Sequence, residues 1–313
     1  MAKSAEQYPG KTCYVHNDIK RSWGEVYNRV RRMSSVLVNK FGIKRNDVVS
    51  IIAPNTQTIY ETHFSVPGAG AIIHTINTRL DALTIAFQLK HAKSKIVFVD
   101  SEFTSIMKEA LNILRLDKSM DMDDGTIKIP IVVDIIDKEF SAKDSISGES
   151  RGEYESLVEE GDENFQLIYP EDEWDAISLN YTSGTTGNPK GVITHHRGAY
   201  LNSLSNSIEW NMPRHPRFLW VVPMFHCNGW CFAWSLASRA GKNSNASISF
   251  SPHLKEFKRD VLSSLLRRIA LLETGAGRQS LFNHPAVSYS VPVWSSCHYE
   301  HYACIQRQDS FHS

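Results

Sequence analysis

The stretch Tyr181-Thr-Ser-Gly-Thr-Thr-Gly-Asn-Pro-Lys-Gly191 decides the fold class of this chain. Gly184 and Gly187 permit positive φ values and a close approach of the backbone to a ligand, so consecutive N–H groups can converge on an anion. Lys190 adds a full positive charge, and a charge-assisted hydrogen bond to phosphate contributes about 1.5–3 kcal/mol. Hydroxyl groups come from Tyr181, Thr182, Ser183, Thr185 and Thr186. The stretch therefore predicts a phosphate-binding loop, which we call the phosphate loop.

Two other interpretations of the phosphate loop fit its residues less well. Most short Gly/Ser/Thr-rich runs are surface loops without a ligand, but that interpretation does not explain the adjacent proline and lysine. A Walker loop requires Gly-Lys-Ser/Thr, whereas this chain has Pro189-Lys190-Gly191. A generic P-loop hydrolase is therefore not predicted.

The residues before the phosphate loop alternate between apolar runs and helical periodicity. The apolar run 176–181 would place Thr182 at the carboxyl end of a strand, where α/β sheets present ligand loops. Ser22 and Glu25 form a potential capping box at the start of a helix that ends near Gly42. Further strands are predicted at 47–53, 69–76, 95–99 and 127–136, helices at 58–65 and 81–93, and a surface connection at 137–152. This alternation predicts an α/β fold with mostly parallel sheets covered by helices.

A second motif follows a predicted strand at 218–222 and reads Pro223-Met-Phe-His-Cys-Asn-Gly-Trp230. A lone histidine is more often a packed side chain than a functional one. The spacing of His226 from Pro223 and Gly229 favours a functional role here.

A zinc site can also be drawn in this region. His226, Cys227 and Cys231 would be three of its ligands, with Cys297 or His298 as the fourth. Adjacent histidine and cysteine are awkward spacing for a tetrahedral site, and the chain has no paired C-x-x-C. The zinc interpretation is therefore the less favoured one.

The phosphate loop resembles the signature loop of the adenylate-forming superfamily, which includes acyl-CoA synthetases, luciferases and the adenylation domains of peptide synthetases. EDEWDAISLN before the loop and GVITHHRGAY after it resemble fatty acyl-CoA synthetases that act on short- and medium-chain acids. Similarity extends back through Asn77–Asp81 and Lys95–Asp100, and covers most of residues 10–238. The second motif resembles the family's second signature, which brings an aromatic or histidine side chain to the mouth of the acid pocket.

This resemblance implies ATP-dependent conversion of a carboxylic acid to an acyl-adenylate and then to an acyl-CoA, with ATP, Mg²⁺ and coenzyme A as cofactor or co-substrate. His226 and Lys190 would be the catalytic residues, Thr182 would contact Mg²⁺, and Gly229 and Trp230 would line the acyl tunnel beside His226. The residues implied to hold the ATP phosphates are Thr182, Ser183, Gly184, Thr185, Thr186, Gly187 and Lys190.

Family motifs that should follow downstream are not found in residues 230–313. They are an aromatic-Gly-x-Thr-Glu segment, a Thr-Gly-Asp segment, a hinge and the adenylation lysine. Similarity stops near Ser238, as a frameshift, retained intron or alternative exon would cause. We therefore expect a partial N-terminal domain of the adenylate-forming fold in residues 1–238 and an aberrant, poorly ordered tail in residues 239–313. Catalysis would be impaired; the alternative is a non-catalytic nucleotide-binding or regulatory remnant.

Composition narrows the classes of partner. Lysine and arginine total 34 and aspartate and glutamate total 34, so no nucleic-acid partner is predicted. The N-terminus lacks the apolar core of a signal peptide, and no run approaches the roughly 20 apolar residues of a transmembrane helix. Five scattered cysteines fit reduced thiols. We expect an intracellular protein, and the sequence does not distinguish cytoplasm, peroxisome and mitochondrion.

Overall fold

The computed structural model describes residues 1–117, 129–136, 150–182 and 189–245. In these ranges the chain forms two sheets covered by helices. The strands are β1 (Thr12–His16), β2 (Ile19–Ser22), β3 (Val48–Ile52), β4 (Ile72–Thr75), β5 (Ile96–Asp100), β6 (Ile131–Ile135), β7 (Ser150–Glu153), β8 (Ala176–Tyr181), β9 (Gly191–His195), β10 (Arg217–Trp220) and β11 (Lys242–Asn245). The helices are α1 (Ala2–Gln7), α2 (Trp23–Ser35), α3 (Gln57–Gly68), α4 (Ala82–His91), α5 (Thr104–Leu116), α6 (Tyr154–Glu160), α7 (His196–Glu209), α8 (Cys227–Trp230) and α9 (Phe232–Ser238).

The larger sheet has seven strands in the order β7-β6-β5-β3-β4-β8-β9. Neighbouring strands are parallel except β8 and β9, which form an antiparallel pair. A second sheet has the order β10-β11-β1-β2. The predicted α/β fold with mostly parallel strands is confirmed.

Both faces of the larger sheet are buried, which explains why its central strands are continuous apolar runs. In β5, Ile96 and Phe98 join the core that α2 and α3 help to form, while Val97 and Val99 join a second core with residues of α4 and α5. All five residues of β5 are buried. A parallel strand covered by helices on both faces has this pattern.

The predicted capping box begins α2. Ser22 N donates to Glu25 Oε2 at 2.6 Å, and Glu25 N donates to Ser22 Oγ at 3.3 Å. These two bonds satisfy backbone donors that the first helical turn leaves free. The helix continues through a π-helical turn at Val36–Lys40 and ends before Gly42, whose φ of +67° suits glycine.

Five strands lie where the sequence predicted none: β1, β2, β7, β9 and β11. β7 occupies the end of the segment predicted as a surface connection, whose residues 137–149 lie outside the described residues. β11 is polar, yet it pairs in parallel with both β10 and β1. Its Asn243 is fully buried, accepts from Trp220 Nε1 at 3.0 Å and donates to Cys13 O at 3.0 Å. Side-chain hydrogen bonds therefore replace the apolar character expected of a buried strand.

Other predictions fall on residues that the structure does not describe. They are residues 183–188 of the phosphate loop and most of the predicted tail, 246–313. The boundary predicted at residue 238 stays a prediction, although residues 242–245 belong to the second sheet.

Candidate functional site

The phosphate loop connects two antiparallel neighbours, β8 and β9. Thr182 N donates to Lys190 O at 3.0 Å, and Lys190 N donates to Thr182 Oγ1 at 3.4 Å. Both residues are exposed. The stems of the loop are therefore fastened together while the Lys190 side chain stays available to an anion. The remaining predicted phosphate contacts lie outside the described residues: Ser183, Gly184, Thr185, Thr186 and Gly187.

Three parallel neighbours, β3, β4 and β8, end at the same edge of the larger sheet. Asn55 follows β3, Thr75 ends β4, and Asn180 lies two residues before Thr182 on β8. In open α/β sheets, ligands bind in the crevice outside the carboxyl ends of the strands. This edge is therefore where a ligand of the phosphate loop would lie.

Tyr181 anchors the base of the phosphate loop. Its hydroxyl group lies 2.7 Å from His91 Nδ1, and its ring centroid lies 5.1 Å from that of His74. Partial burial raises the pKa of Tyr181 to about 12, so the phenol stays protonated at neutral pH. Tyr181 thus acts as a packing and hydrogen-bonding residue here.

The second motif folds into an unusual turn, residues 223–231, which we call the His226 turn. Five consecutive residues, 227–231, have φ values between +48° and +64°. Left-handed conformation costs a non-glycine residue about 1–2 kcal/mol. Gly229 has no such cost, and a Cβ there would lie 2.5 Å from Trp220 Cζ3. Such backbone persists where surrounding structure determines it, and it is concentrated at functional sites.

Residues from the carboxyl ends of the parallel strands hold the His226 turn. Asn55 Nδ2 donates to Val222 O at 2.9 Å, and Asn55 Oδ1 accepts from Met224 N at 2.7 Å. Thr75 Oγ1 donates to Phe225 O at 2.8 Å. The turn is therefore fastened to the same sheet edge from which the phosphate loop emerges.

Sequence reasoning did not identify these anchors, or Asn228 within the turn. Asn228 Nδ2 donates to Ser178 Oγ and to Asn180 Oδ1, both at 2.8 Å. The sequence did contain a signal for a left-handed turn at Asn228, because asparagine is one of the few residues that adopt left-handed conformation readily. Its meaning depends on partners about 50 residues earlier in the chain, which no local pattern reveals.

The His226 turn presents two side chains side by side. The rings of His226 and Trp230 stack with centroids 5.9 Å apart and planes 17° apart, and Trp230 is 52% exposed. Partial burial lowers the pKa of His226 below its ordinary value, so the ring is neutral at pH 7. A neutral imidazole beside an indole can hydrogen-bond a polar group while an apolar group lies on the neighbouring surface. Gly229 is buried behind them.

The sequence offers two candidate metal sites, the less favoured zinc site around His226 and the Mg²⁺ contact at Thr182. No group of three His, Cys, Asp or Glu side chains suitable for a metal occurs within the described ranges, and Cys297 and His298 lie beyond them. Burial raises the thiol pKa of Cys227 and of Cys231. Thr182 offers one neutral oxygen, which fits Mg²⁺ because that ion commonly takes few protein ligands and completes its shell with phosphate oxygens and water.

Comparison with known proteins adds independent findings. The sequence profile of the AMP-binding enzymes matches residues 1–258. The peroxisomal benzoate–CoA ligase of Arabidopsis thaliana is 42% identical over 245 residues, a match covering 77% of this chain and 40% of that protein. Acetate–CoA ligase CCL3 of Humulus lupulus is 43% identical over 245 residues, covering 78% of this chain and 42% of that protein. This chain thus spans about two fifths of these relatives.

Solved structures agree on the fold. The N-terminal domain of FACL13 from Mycobacterium tuberculosis, crystallised with an inhibitor, superposes with a TM-score of 0.63 at 21% identity. That match covers 80% of this chain and 56% of the solved chain.

No helix in the ranges that the structure describes has the length and apolar character to cross a membrane.

Proposed function

This chain belongs to the AMP-binding enzyme family, and on that premise we propose that it derives from an enzyme converting a short- or medium-chain carboxylic acid to an acyl-adenylate and then an acyl-CoA. One observation carries the proposal. The strand that enters the phosphate loop and the His226 turn are joined by the two hydrogen bonds of Asn228 to Ser178 and Asn180. A phosphate-binding element and a candidate acid-binding element thus share one sheet edge.

The chemistry requires charge neutralisation more than a protein nucleophile. A carboxylate oxygen attacks the α-phosphorus of ATP, and pyrophosphate leaves. The thiolate of coenzyme A then attacks the acyl carbonyl carbon, and AMP leaves. Mg²⁺, if bound, would be held by Thr182 and would offset the negative charge of the phosphates.

The residues of this chain take separate roles in that chemistry. Lys190 and the phosphate-loop hydroxyl groups hold the β- and γ-phosphates, and Thr182 contributes a hydroxyl oxygen to the metal. His226, neutral at pH 7, donates an N–H to the carboxylate or to the α-phosphate oxygen. Trp230 forms an apolar wall for the acyl group, and its size favours a pocket of limited depth. Relatives named for benzoate, acetate and butyrate are consistent with a small acid.

Nucleotide binding tests the role of Lys190. We expect titration with ATP and Mg²⁺ to show an affinity that Lys190→Ala lowers by about 10-fold or more, because a charge-assisted hydrogen bond to phosphate is lost. Lys44→Ala is the matched control, since Lys44 is also exposed and precedes β3 rather than the phosphate loop. Equal affinities for the Lys190→Ala variant and the wild type would contradict the assigned role.

A second candidate function is a non-catalytic nucleotide-binding or regulatory remnant. Its support is that the downstream family motifs are not found in residues 230–313. Acid-dependent release of pyrophosphate distinguishes the two candidates. Release from MgATP with acetate, butyrate or benzoate supports the enzyme, whereas binding of MgATP without release supports the remnant.

The tail boundary is also a proposal. We expect the transcript across the codon for Ser238 to contain a frameshift, retained intron or alternative exon. A longer reading frame that restores the downstream family motifs would support this expectation. A single exon that encodes residues 1–313, with no differently spliced form among independent transcripts, would exclude it.

A further inference from the structure

Asn228 connects the His226 turn to the strand that leads into the phosphate loop. The residue is 3% exposed and lies in the middle of the left-handed segment. Its amide nitrogen donates to Ser178 Oγ and Asn180 Oδ1, so both N–H bonds of the amide are used on β8. Thr182 follows Asn180 by two residues. The side chain thus ties the backbone beside His226 to the stem of the phosphate loop.

Thr75 closes this connection into a ring. Asn180 Nδ2 donates to Thr75 Oγ1 at 2.9 Å, and Thr75 Oγ1 donates to Phe225 O at 2.8 Å. His226 lies between Phe225 and Asn228, so its backbone is fastened on both sides. Side-chain networks of this kind are stronger together than as separate pairs.

The Oδ1 atom of Asn228 indicates that this residue does not serve stability alone. Asn228 Oδ1 is buried and has no hydrogen-bond partner within the described ranges. A buried acceptor without a partner costs about 1–3 kcal/mol. Asn228 also holds φ +52° and ψ +42°, which glycine would adopt without strain. Glycine would suit the backbone better, but it would lose both hydrogen bonds to β8.

We infer that Asn228 is a positioning residue that fixes the His226 and Trp230 rings relative to Thr182, the residue that follows β8. The inference rests on the proposed function for its catalytic meaning, since it assigns the alignment of the acid against the nucleotide to this side chain. Its structural content, the placement of the His226 ring by the Asn228 amide, can be measured without any ligand.

Three variants separate the amide from the backbone it occupies. Asn228→Gly keeps the left-handed conformation and removes both hydrogen bonds. Asn228→Asp keeps the size of the side chain and removes its donors. Asn46→Gly is the matched control, because Asn46 is an exposed asparagine with φ +67° that lies before β3.

The ligand-free test is the imidazole resonance of His226 in the full chain, followed by NMR and assigned with His226→Gln. Trp230→Leu defines the position of an unstacked ring. We expect Asn228→Gly and Asn228→Asp to move the resonance most of the way to that position, and Asn46→Gly to leave it unchanged. An unchanged resonance in both Asn228 variants would overturn the inference.

Thr75→Val keeps the test decisive if the Asn228 variants do not fold. It breaks the same ring at its other end with little change in volume. We expect it to move the His226 resonance in the same direction, and no movement in the folded Thr75→Val protein would count against the network.

Kinetics of the full chain distinguish positioning from general weakening. We expect Asn228→Gly to lower kcat/KM for the acid by about 10²-fold, as a misplacement of about 1 Å can do, while KM for ATP changes by less than about twofold. A comparable rise in the KM for ATP would overturn a specific positioning role. Absence of pyrophosphate release from the wild type would instead contradict the proposed function, and the His226 resonance would still decide the structural role.

Discussion

The two motifs reach the same sheet edge but are held there in different ways. Side chains of Asn55, Thr75 and Asn228 fasten the His226 turn to three strand ends. The phosphate loop is fastened through the β8–β9 pair, and β9 is an edge strand on which Ile193 is 64% exposed. The fold thus fixes the histidine in advance, whereas the side chain of Lys190 remains exposed at the edge of the sheet.

The largest effect is expected where the His226 turn is most constrained. Gly229→Ala places a Cβ in left-handed conformation and 2.5 Å from Trp220 Cζ3. Strain and overpacking together should lower the free energy of unfolding by about 2–5 kcal/mol, measured by urea denaturation. Gly42→Ala separates the two causes, because Gly42 has φ +67° with no atom within 4 Å of an added Cβ. Equal losses in both variants would show that the contact with Trp220 is unimportant.

Acidification should lower the stability of the protein through one buried histidine near the phosphate loop and one near the His226 turn. His74 packs against Tyr181 beside the phosphate loop, and His63 packs against Trp234 in the helix after the His226 turn. Burial lowers the pKa of each imidazole to about 4. Below pH 6.5 the unfolded chain therefore binds protons that the folded chain does not, so stability is complete above pH 6.5 and is lost towards pH 4.

Urea denaturation at several pH values between 7 and 4 measures this effect. Each histidine should contribute a slope of up to about 1.4 kcal/mol per pH unit. His74→Phe and His63→Phe should each remove one proton from the uptake on unfolding. An unchanged slope in either variant would show that the corresponding imidazole is already protonated in the folded state.

A smaller effect is expected at the first anchor of the His226 turn. Asn55→Ala leaves Val222 O and Met224 N without their partner. Loss of these bonds should lower the free energy of unfolding by about 1–3 kcal/mol. Asn39→Ala is a suitable control, because the Asn39 side chain makes one long bond of 3.3 Å to Ser35 Oγ away from the sheet edge. Similar losses for both variants would contradict an anchoring role.

The features that the sequence predicted correctly depend on residues that are close together in the chain. The capping box of Ser22 and Glu25 and the buried strand Ile96–Asp100 follow from spacing and apolar character, and both are present. The phosphate loop follows a strand as expected, since glycine-rich stretches between strands favour turns. For the capping box and the buried strand, the residues that carry the signal are also the residues that form the contacts.

The features that were missed depend on residues far apart in the chain. β11 reads Lys-Asn-Ser-Asn, and Asn243 is buried only because Trp220 and Cys13 supply its partners. The left-handed segment includes Cys227 and Trp230, which local preference excludes from that conformation. Hydrogen bonds from strand ends up to 169 residues away hold the turn, and no pattern within the motif reports them.

The smallest change in stability is expected on the phosphate-loop side. Ile193→Ser alters a side chain that is 64% exposed on an edge strand, so the free energy of unfolding should change by less than about 0.5 kcal/mol. Ile73→Ser is the contrasting variant, because Ile73 is fully buried in β4 of the same sheet and its loss should cost several kcal/mol. Urea denaturation of the two variants directly compares the free energy of unfolding lost at the edge strand β9 with that lost at the buried strand β4. A large loss for Ile193→Ser would mean that β9 is packed against further structure, and the contrast between an open phosphate-loop side and a fixed His226 turn would then be wrong.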